Sequence, residues 1–239
     1  MSVENLGTAA VRERPYVIVY VTSSVDGKIA SVSGDSRLSC MYDLRRLHSL
    51  RASCDAVMVG ANTVIRDDPL LTVRYVEGHN PLRVVIDGSL RIPTTSRVIT
   101  DKSAKTLIVT STSAPTSKVA ELIRLGAEVI CLPAVEGSKV KLAEALRILW
   151  RRGVRRLLVE GGGNLIWDLV SEGLIDEFRI TLSPYIVGGA RAVTPVEGKG
   201  FTSKDTWLRL KLVNYMICEC GNEIHAIYVP IRWGSNISQ

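Results

Sequence analysis

The first apolar run of the chain, Tyr16 to Val21, is rich in β-branched residues, ends in Thr22-Ser23-Ser24, and is followed by the turn pair Asp26-Gly27. This pattern predicts an opening strand near the middle of a sheet. From Tyr42 to Ala52, Leu44, Leu47 and Leu50 recur at helical spacing, with Ser39 as the predicted cap. A short strand over Asp55 to Val59 then closes on Gly60. The alternation repeats with strands over Arg83–Ile86, Thr106–Val109, Glu128–Leu132, Arg156–Val159 and Glu177–Leu182. Between them, Thr116–Leu125, Lys139–Arg151 and Asn164–Glu172 read as helices stopped by Gly126, Gly153 and Gly173. Trp207–Cys218 and Ile224–Val229 read as a closing strand pair joined through Gly221-Asn222. Strands alternating with helices predict an α/β fold, a mostly parallel central sheet with helices on both faces and a C-terminal antiparallel pair. No Pro-, Gly- or Ser-rich linker and no repeat divides the chain, so a tail over residues 1–14 and one domain over residues 15–239 are expected.

Sheets of this kind bind ligands at the carboxyl ends of their strands, and several predicted strand ends carry small or polar residues. The densest is Glu160-Gly161-Gly162-Gly163-Asn164-Leu165, a carboxylate and three glycines between a strand and a helix. Glycine admits a ligand close to the backbone, and a helix N-terminus favours a phosphate; by itself the cluster is equally an ordinary tight turn. It is not the spaced-glycine dinucleotide fingerprint. Thr63 follows Gly60-Ala61-Asn62 at the start of a short helix, a second phosphate position. Asp67-Asp68-Pro69 precedes Arg74, and Asp26-Gly27-Lys28 puts opposite charges around a turn. Ser36, Arg37 and Arg51 add anion-seeking groups. No Ser-His-Asp or Cys-His arrangement for nucleophilic catalysis can be assembled.

The 30 Lys and Arg against 24 Asp and Glu leave a charge of +6, a diffuse excess that suits an anionic small ligand as well as it suits nucleic acid. The largest basic cluster, Arg151, Arg152, Arg155 and Arg156, has no interleaved aromatics and reads as solvated surface, so no nucleic acid is expected. No stretch approaches the roughly 18 apolar residues of a membrane span, and the N-terminus lacks a signal-peptide core, so a cytoplasmic location is expected. Cys40, Cys54, Cys131, Cys218 and Cys220 are scattered, and Cys218-Glu219-Cys220 is tighter than the usual zinc pair. His48, His79 and His225 are isolated. The thiols are therefore read as structural, and no metal site is expected.

Thr22–Lys28, Leu50-Arg51, Val59–Val64, Asp67–Arg74, Val85–Asp87 and Val159–Gly163 together resemble the riboflavin-biosynthesis reductases. These are the stand-alone archaeal and fungal diaminoribosylaminopyrimidinone phosphate reductases and the reductase half of the bacterial deaminase-reductase. The resemblance runs from about Pro15 to Val229. It implies a dihydrofolate-reductase-like fold, a homodimer, and NADPH-dependent reduction of a ribosylamino group on a phosphorylated pyrimidine to a ribitylamino group. It implies cofactor contacts at Thr63, Asp67, Gly88, Gly161, Gly162, Gly163, Asn164 and Leu165. Substrate contacts carry over to Lys28, Ser36, Arg51, Leu71, Arg74 and Glu160, with Asp26 beside them. Lys28, Asp67 and Glu160 are the candidate catalytic residues, Lys28 and Asp26 serving proton management, while Ser36, Arg51 and Arg74 would hold the 5′-phosphate. On that role, Arg51→Ala raises KM for the substrate and spares the cofactor. NADH remains an alternative donor, since Thr110, Ser111 and Ser113 offer hydroxyls but no arginine clamp for a 2′-phosphate. The H-x-E and P-C-x-x-C strings of a zinc deaminase do not occur, which favours reduction before deamination. A reductase of the deaminated pyrimidinedione, a dihydrofolate-type pterin reductase and a non-catalytic nucleotide-binding protein are the alternatives.

Overall fold

The computed structural model describes residues 13–231; most of the predicted tail and residues 232–239 of the predicted domain lie outside the described residues. The elements run β1 (Tyr16–Ser24), α1 (Met41–Ser53), β2 (Ala56–Gly60), α2 (Ala61–Asp67), β3 (Leu82–Ile86), α3 (Arg97–Thr100), β4 (Thr106–Ser111), α4 (Thr116–Arg124) and β5 (Glu128–Leu132). They continue with β6 (Ala134–Glu136), β7 (Lys139–Val140), α5 (Leu142–Arg151), β8 (Arg156–Val159), α6 (Gly163–Ser171), β9 (Glu177–Ser183), β10 (Leu210–Ile217) and β11 (Ile224–Pro230).

Nine strands form one sheet in the order β10-β11-β9-β1-β8-β2-β3-β4-β5. From β9 to β5 every neighbour is parallel, while β11 runs antiparallel to both β9 and β10. The predicted parallel sheet with an antiparallel pair at one edge is thus the fold observed. Strand periodicity explains why the central runs are apolar throughout. Val17, Val19 and Val21 of β1 face a core with Leu146 and Leu149 of α5 and Ile166 and Leu169 of α6, whereas Ile18 and Tyr20 face a second core with Leu50 of α1, Val64 of α2 and Leu122 of α4. Ala56 and Met58 of β2 join the first core, Val57 and Val59 the second.

Most element ends shift by one to three residues from the sequence expectation, and three differences at element starts have a local cause. Helix α1 is capped by Cys40, whose Sγ accepts from the Asp43 N–H at 3.4 Å, not by Ser39, whose hydroxyl donates to Thr22 Oγ1 at 3.0 Å. The helix expected from Lys139 begins at Leu142, because Gly137 at φ 58 turns the chain and pairs β6 with β7. The closing strand expected from Trp207 begins at Leu210, after a single turn of 3₁₀ helix over Lys204–Thr206. Among the described residues no helix is long and apolar enough to cross a membrane.

Candidate active site

In β2 and β8, Met58 pairs with Val159, and in β2 and β3, Gly60 pairs with Ile86. This register brings the ends of β2, β3 and β8 to one edge of the sheet. There, with Thr22 near the end of β1, they line a cleft of about 460 Å³, within the range of small-ligand sites. The chain reads Gly60-Ala61-Asn62-Thr63 on one wall, Asp87-Gly88-Ser89 on the next and Glu160 to Leu165 on the third.

Two glycines are required by close approach. A Cβ on Gly88 would stand 1.8 Å from the Ser138 carbonyl oxygen, so the turn after β3 and the β6–β7 hairpin meet backbone to backbone. A Cβ on Gly163 would stand 2.8 Å from the Thr194 carbonyl oxygen and 2.5 Å from Glu197 Cγ. The Glu197 N–H donates to the Gly163 carbonyl at 3.1 Å, and Asn164 Nδ2 donates to Glu197 Oε2 at 3.1 Å, which lays the 194–197 segment over the start of α6. The first N–H groups of a helix have no intrahelical acceptor, and Gly163, Asn164 and Leu165 of α6 line the cleft.

All eight residues predicted for the cofactor line this cleft: Thr63, Asp67, Gly88, Gly161, Gly162, Gly163, Asn164 and Leu165. Desolvation raises the Asp67 carboxyl above its ordinary range, against the pull of Arg66. Of the residues predicted for the substrate, Ser36 and Glu160 line the cleft. The other five, Asp26, Lys28, Arg51, Leu71 and Arg74, stand outside its lining.

Asp26 has a local duty. Ser24 Oγ donates to its Oδ1 at 2.6 Å, and the N–H groups of Val187 and Gly188 donate at 3.0 and 2.7 Å. These bonds, the Ser24 hydroxyl first, lower its carboxyl to about 2, so it stays ionised and anchors a loop. The backbone N–H of Lys28 donates to Ser24 Oγ at 2.9 Å in the same turn. Leu71 is buried at a positive φ of 54.

Arg51 differs most from its sequence reading. Its Nε and one terminal nitrogen each donate to a different oxygen of Glu160 at 2.6 Å, and the other terminal nitrogen donates to the Thr72 carbonyl at 2.9 Å. Both side chains are about nine-tenths buried. A guanidinium so engaged orients the Glu160 carboxylate from behind the cleft, and its fork is not open to a phosphate. Arg74 donates to Thr72 Oγ1 at 2.8 Å, and its backbone N–H donates to His48 Nδ1 at 2.8 Å.

His48 therefore carries its proton on Nε2 when neutral, and the 3.3 Å approach of Arg51 to Nε2 is a contact between two donors. Desolvation first, then Arg51 and Arg74, push the imidazole down to about 4. The unfolded chain takes up this proton near 6.5 and the folded protein only near 4, so the unfolded state binds more protons between those values. The stability His48 contributes above pH 6.5 is expected to drain away as pH falls toward 4. Thermal unfolding against pH, for the wild type and His48→Gln, checks this; parallel curves would sink it.

Other features escaped the sequence reading. Arg66, Arg91 and Lys139 put three cations on the cleft wall, Arg91 donating to Asn62 Oδ1 at 2.8 Å. Arg91 follows the Asp87-Gly88-Ser89 turn by two residues, a signal that was available. Thr110, Ser111 and Ser113 are not part of the lining. Thr110 Oγ1 and the Ser111 backbone N–H both donate to the Gly88 carbonyl at 3.1 Å and brace that turn, while the Ser111 and Ser113 hydroxyls bond each other at 2.6 Å. Asp87 is buried, one oxygen accepting from the Ile92 N–H at 2.8 Å while Oδ1 has no partner. The cysteines do not stay scattered: Cys40, Cys218 and Cys220 converge with Glu223 in the folded chain.

Residues 15–226 match the family described as the RibD C-terminal domain. The 2,5-diamino-6-ribosylamino-4(3H)-pyrimidinone 5′-phosphate reductase of Methanothermobacter thermautotrophicus is 46% identical over 203 residues, 83% of this chain and 91% of that protein. The solved RibD of Acinetobacter baumannii superposes with a TM-score of 0.76 at 26% identity, over 92% of this chain and 58% of that longer one. Dihydrofolate reductase from Enterococcus faecalis shares the fold alone, with a TM-score of 0.53 at 11% identity over 90% of this chain and 96% of that one.

Proposed function

Because the chain belongs to the RibD C-terminal domain family, we propose that it reduces 2,5-diamino-6-(5-phosphoribosylamino)pyrimidin-4(3H)-one to its ribitylamino product in riboflavin biosynthesis, with NADPH as the donor. The observation that carries this reading is the 46% identity to a reductase named for that substrate, over 91% of its length. The cleft supports it independently. The start of α6 offers N–H groups suited to a pyrophosphate, and Asp87 Oδ1 is a buried acceptor without a donor.

When bound, the dihydronicotinamide supplies a hydride. The substrate accepts it at C1′ of the opened ribosylamine, and the nitrogen gains a proton. Asp67, whose carboxyl holds its proton to higher pH than usual, is the cleft group suited to supply that proton. Glu160, locked by Arg51, presents a fixed carboxylate to the sugar hydroxyls. Lys28 and Ser36 flank the substrate end, and Arg74 stands behind Thr72 beside Arg51 and His48. Arg51 is a positioning residue in this scheme, and residues 15–239 act as one unit in the cytoplasm.

Arg66 and Arg91 give the cleft the cationic wall that a 2′-phosphate requires. A charge-assisted hydrogen bond is worth about 1.5–3 kcal/mol, so Arg91→Ala is expected to raise KM for NADPH roughly 10- to 100-fold. KM for NADH should hold, and equal losses for both cofactors would refute the assignment. The exposed apolar side chains of the edge strand β10, Leu212, Val213, Tyr215, Met216 and Ile217, support a homodimer as part of this reading. Sedimentation equilibrium should return twice the 26.2 kDa chain mass, and a monomer would reject it.

The reaction is tested by following NADPH absorbance with the diamino substrate and, in parallel, with its deaminated counterpart and dihydrofolate. Turnover of the first alone is expected. Preference for the deaminated compound would reassign the substrate, dihydrofolate turnover would make it a pterin reductase, and cofactor binding without any oxidation would leave a binding protein.

A further inference from the structure

Away from the cleft lining, the N-terminus of α1 meets the turn between β10 and β11. The Sγ atoms of Cys40, Cys218 and Cys220 and a carboxylate oxygen of Glu223 all lie within 4.8 Å of one another. Cys40 Sγ and Cys218 Sγ are 3.6 Å apart, and Cys40 Sγ is 3.0 Å from Glu223 Oε2. Ligands on a tetrahedral zinc ion at about 2.3 Å place neighbouring sulfurs about 3.8 Å apart, so the observed spacing suits one shared cation. A disulfide would need the sulfurs at about 2.05 Å.

Glu223 makes the stronger case. It is 2% exposed, and among the described residues no lysine, arginine or histidine forms an ion pair with it. The nearby Arg46 leans on Glu219 at 3.8 Å instead. A buried carboxylate is stable when paired with a cation or coordinating a metal. Here Glu223 Oε1 accepts from the Cys40 backbone N–H at 2.7 Å, which fixes the carboxylate and aims Oε2 at the thiols. Cys40 is the cap of α1, where its Sγ accepts from the Asp43 N–H at 3.4 Å, which fixes the sulfur at the start of the helix. The turn is built for the same end, since the Cys218 N–H donates to the Glu223 carbonyl and the Gly221 N–H to the Cys218 carbonyl, both at 2.8 Å.

We propose that Cys40, Cys218, Cys220 and Glu223 form a closed structural site for a zinc-class divalent cation, which ties the β10–β11 turn to the start of α1. Three thiolates select a soft or borderline metal over magnesium or calcium. Binding releases the thiol protons to solvent and changes no oxidation state. The site stands independently of the reductase reading.

Cobalt(II) is the probe. The reduced, chelator-stripped full chain is titrated with it, and thiolate-to-cobalt charge transfer with the visible bands of tetrahedral cobalt should saturate at one ion per chain and vanish on adding zinc. Cys40→Ser and Cys218→Ser should lose the charge-transfer signal at stoichiometric metal, while Cys54→Ser and Cys131→Ser keep it. Zinc should also raise the melting temperature of the wild type and leave that of Cys218→Ser unmoved. The wild-type titration is decisive even where a variant fails to fold. An octahedral spectrum, no spectrum, or a Cys40–Cys218 disulfide that forms in air whether or not zinc is present would overturn the proposal.

Discussion

Glu160→Ala is expected to lower the free energy of unfolding by about 3–5 kcal/mol, the cost of leaving one member of a buried ion pair alone. The substitution leaves Arg51 with the Thr72 carbonyl as its acceptor in a place only 6% exposed, beside a His48 that burial keeps neutral. Guanidinium unfolding should show a lower midpoint with an unchanged slope. A loss below about 1 kcal/mol would mean that the pair is effectively solvated. Replacing both partners, Arg51→Met with Glu160→Met, should recover part of the loss, because no buried charge is then orphaned. Arg51→Ala by itself should weaken substrate and cofactor together. That is the reverse of the substrate-specific effect the sequence alone suggests, because the Arg51 guanidinium holds Glu160 and the Thr72 carbonyl between the cleft and the core.

The second large effect comes from a single methyl group. In Gly88→Ala the added carbon falls 1.8 Å from the Ser138 carbonyl oxygen and 2.8 Å from the Ser138 carbonyl carbon, both backbone atoms that cannot rotate away. Either the turn after β3 or the β6–β7 hairpin must move, at an overpacking cost of about 1–3 kcal/mol. Ser138, Lys139 and Val140 of that hairpin line the cleft. A displacement on the order of 1 Å in such a wall can lower kcat/KM about 10²-fold. Steady-state kinetics at saturating and limiting NADPH checks this, with the loss expected mainly in the cofactor's KM. Gly27→Ala is a useful contrast: its added carbon meets no atom within 4 Å, and its strain comes only from φ +78. Activity of Gly88→Ala equal to wild type would show that the hairpin is not part of the working cleft.

What sequence could determine here was local. Strand and helix periods, glycine stops and the Glu160-Gly161-Gly162-Gly163 loop are each written within one or two turns of chain, and with the order of the elements they suffice for a parallel α/β sheet with its site at the strand ends. The cofactor side of the cleft is built from just such local segments, Thr63 to Asp67, Gly88, and Gly161 to Leu165, and the cleft gathers all of them. The rest depends on distance in the chain. Arg51 reads as a free anion grip until the fold brings Glu160 to it across 109 residues, and its charge is then spent inside the protein. Cys40 and Cys218 are 178 residues apart, so no spacing rule could pair them, and Glu223 is buried beside them only once the β10–β11 turn packs on α1. Thr110 and Ser111 have the right chemistry for a ribose, but the Thr110 hydroxyl is spent on the Gly88 carbonyl and the Ser111 hydroxyl on Ser113. Periodicity is a property of neighbouring residues, whereas the state of a charge, a thiol or a hydroxyl depends on what the tertiary structure sets against it.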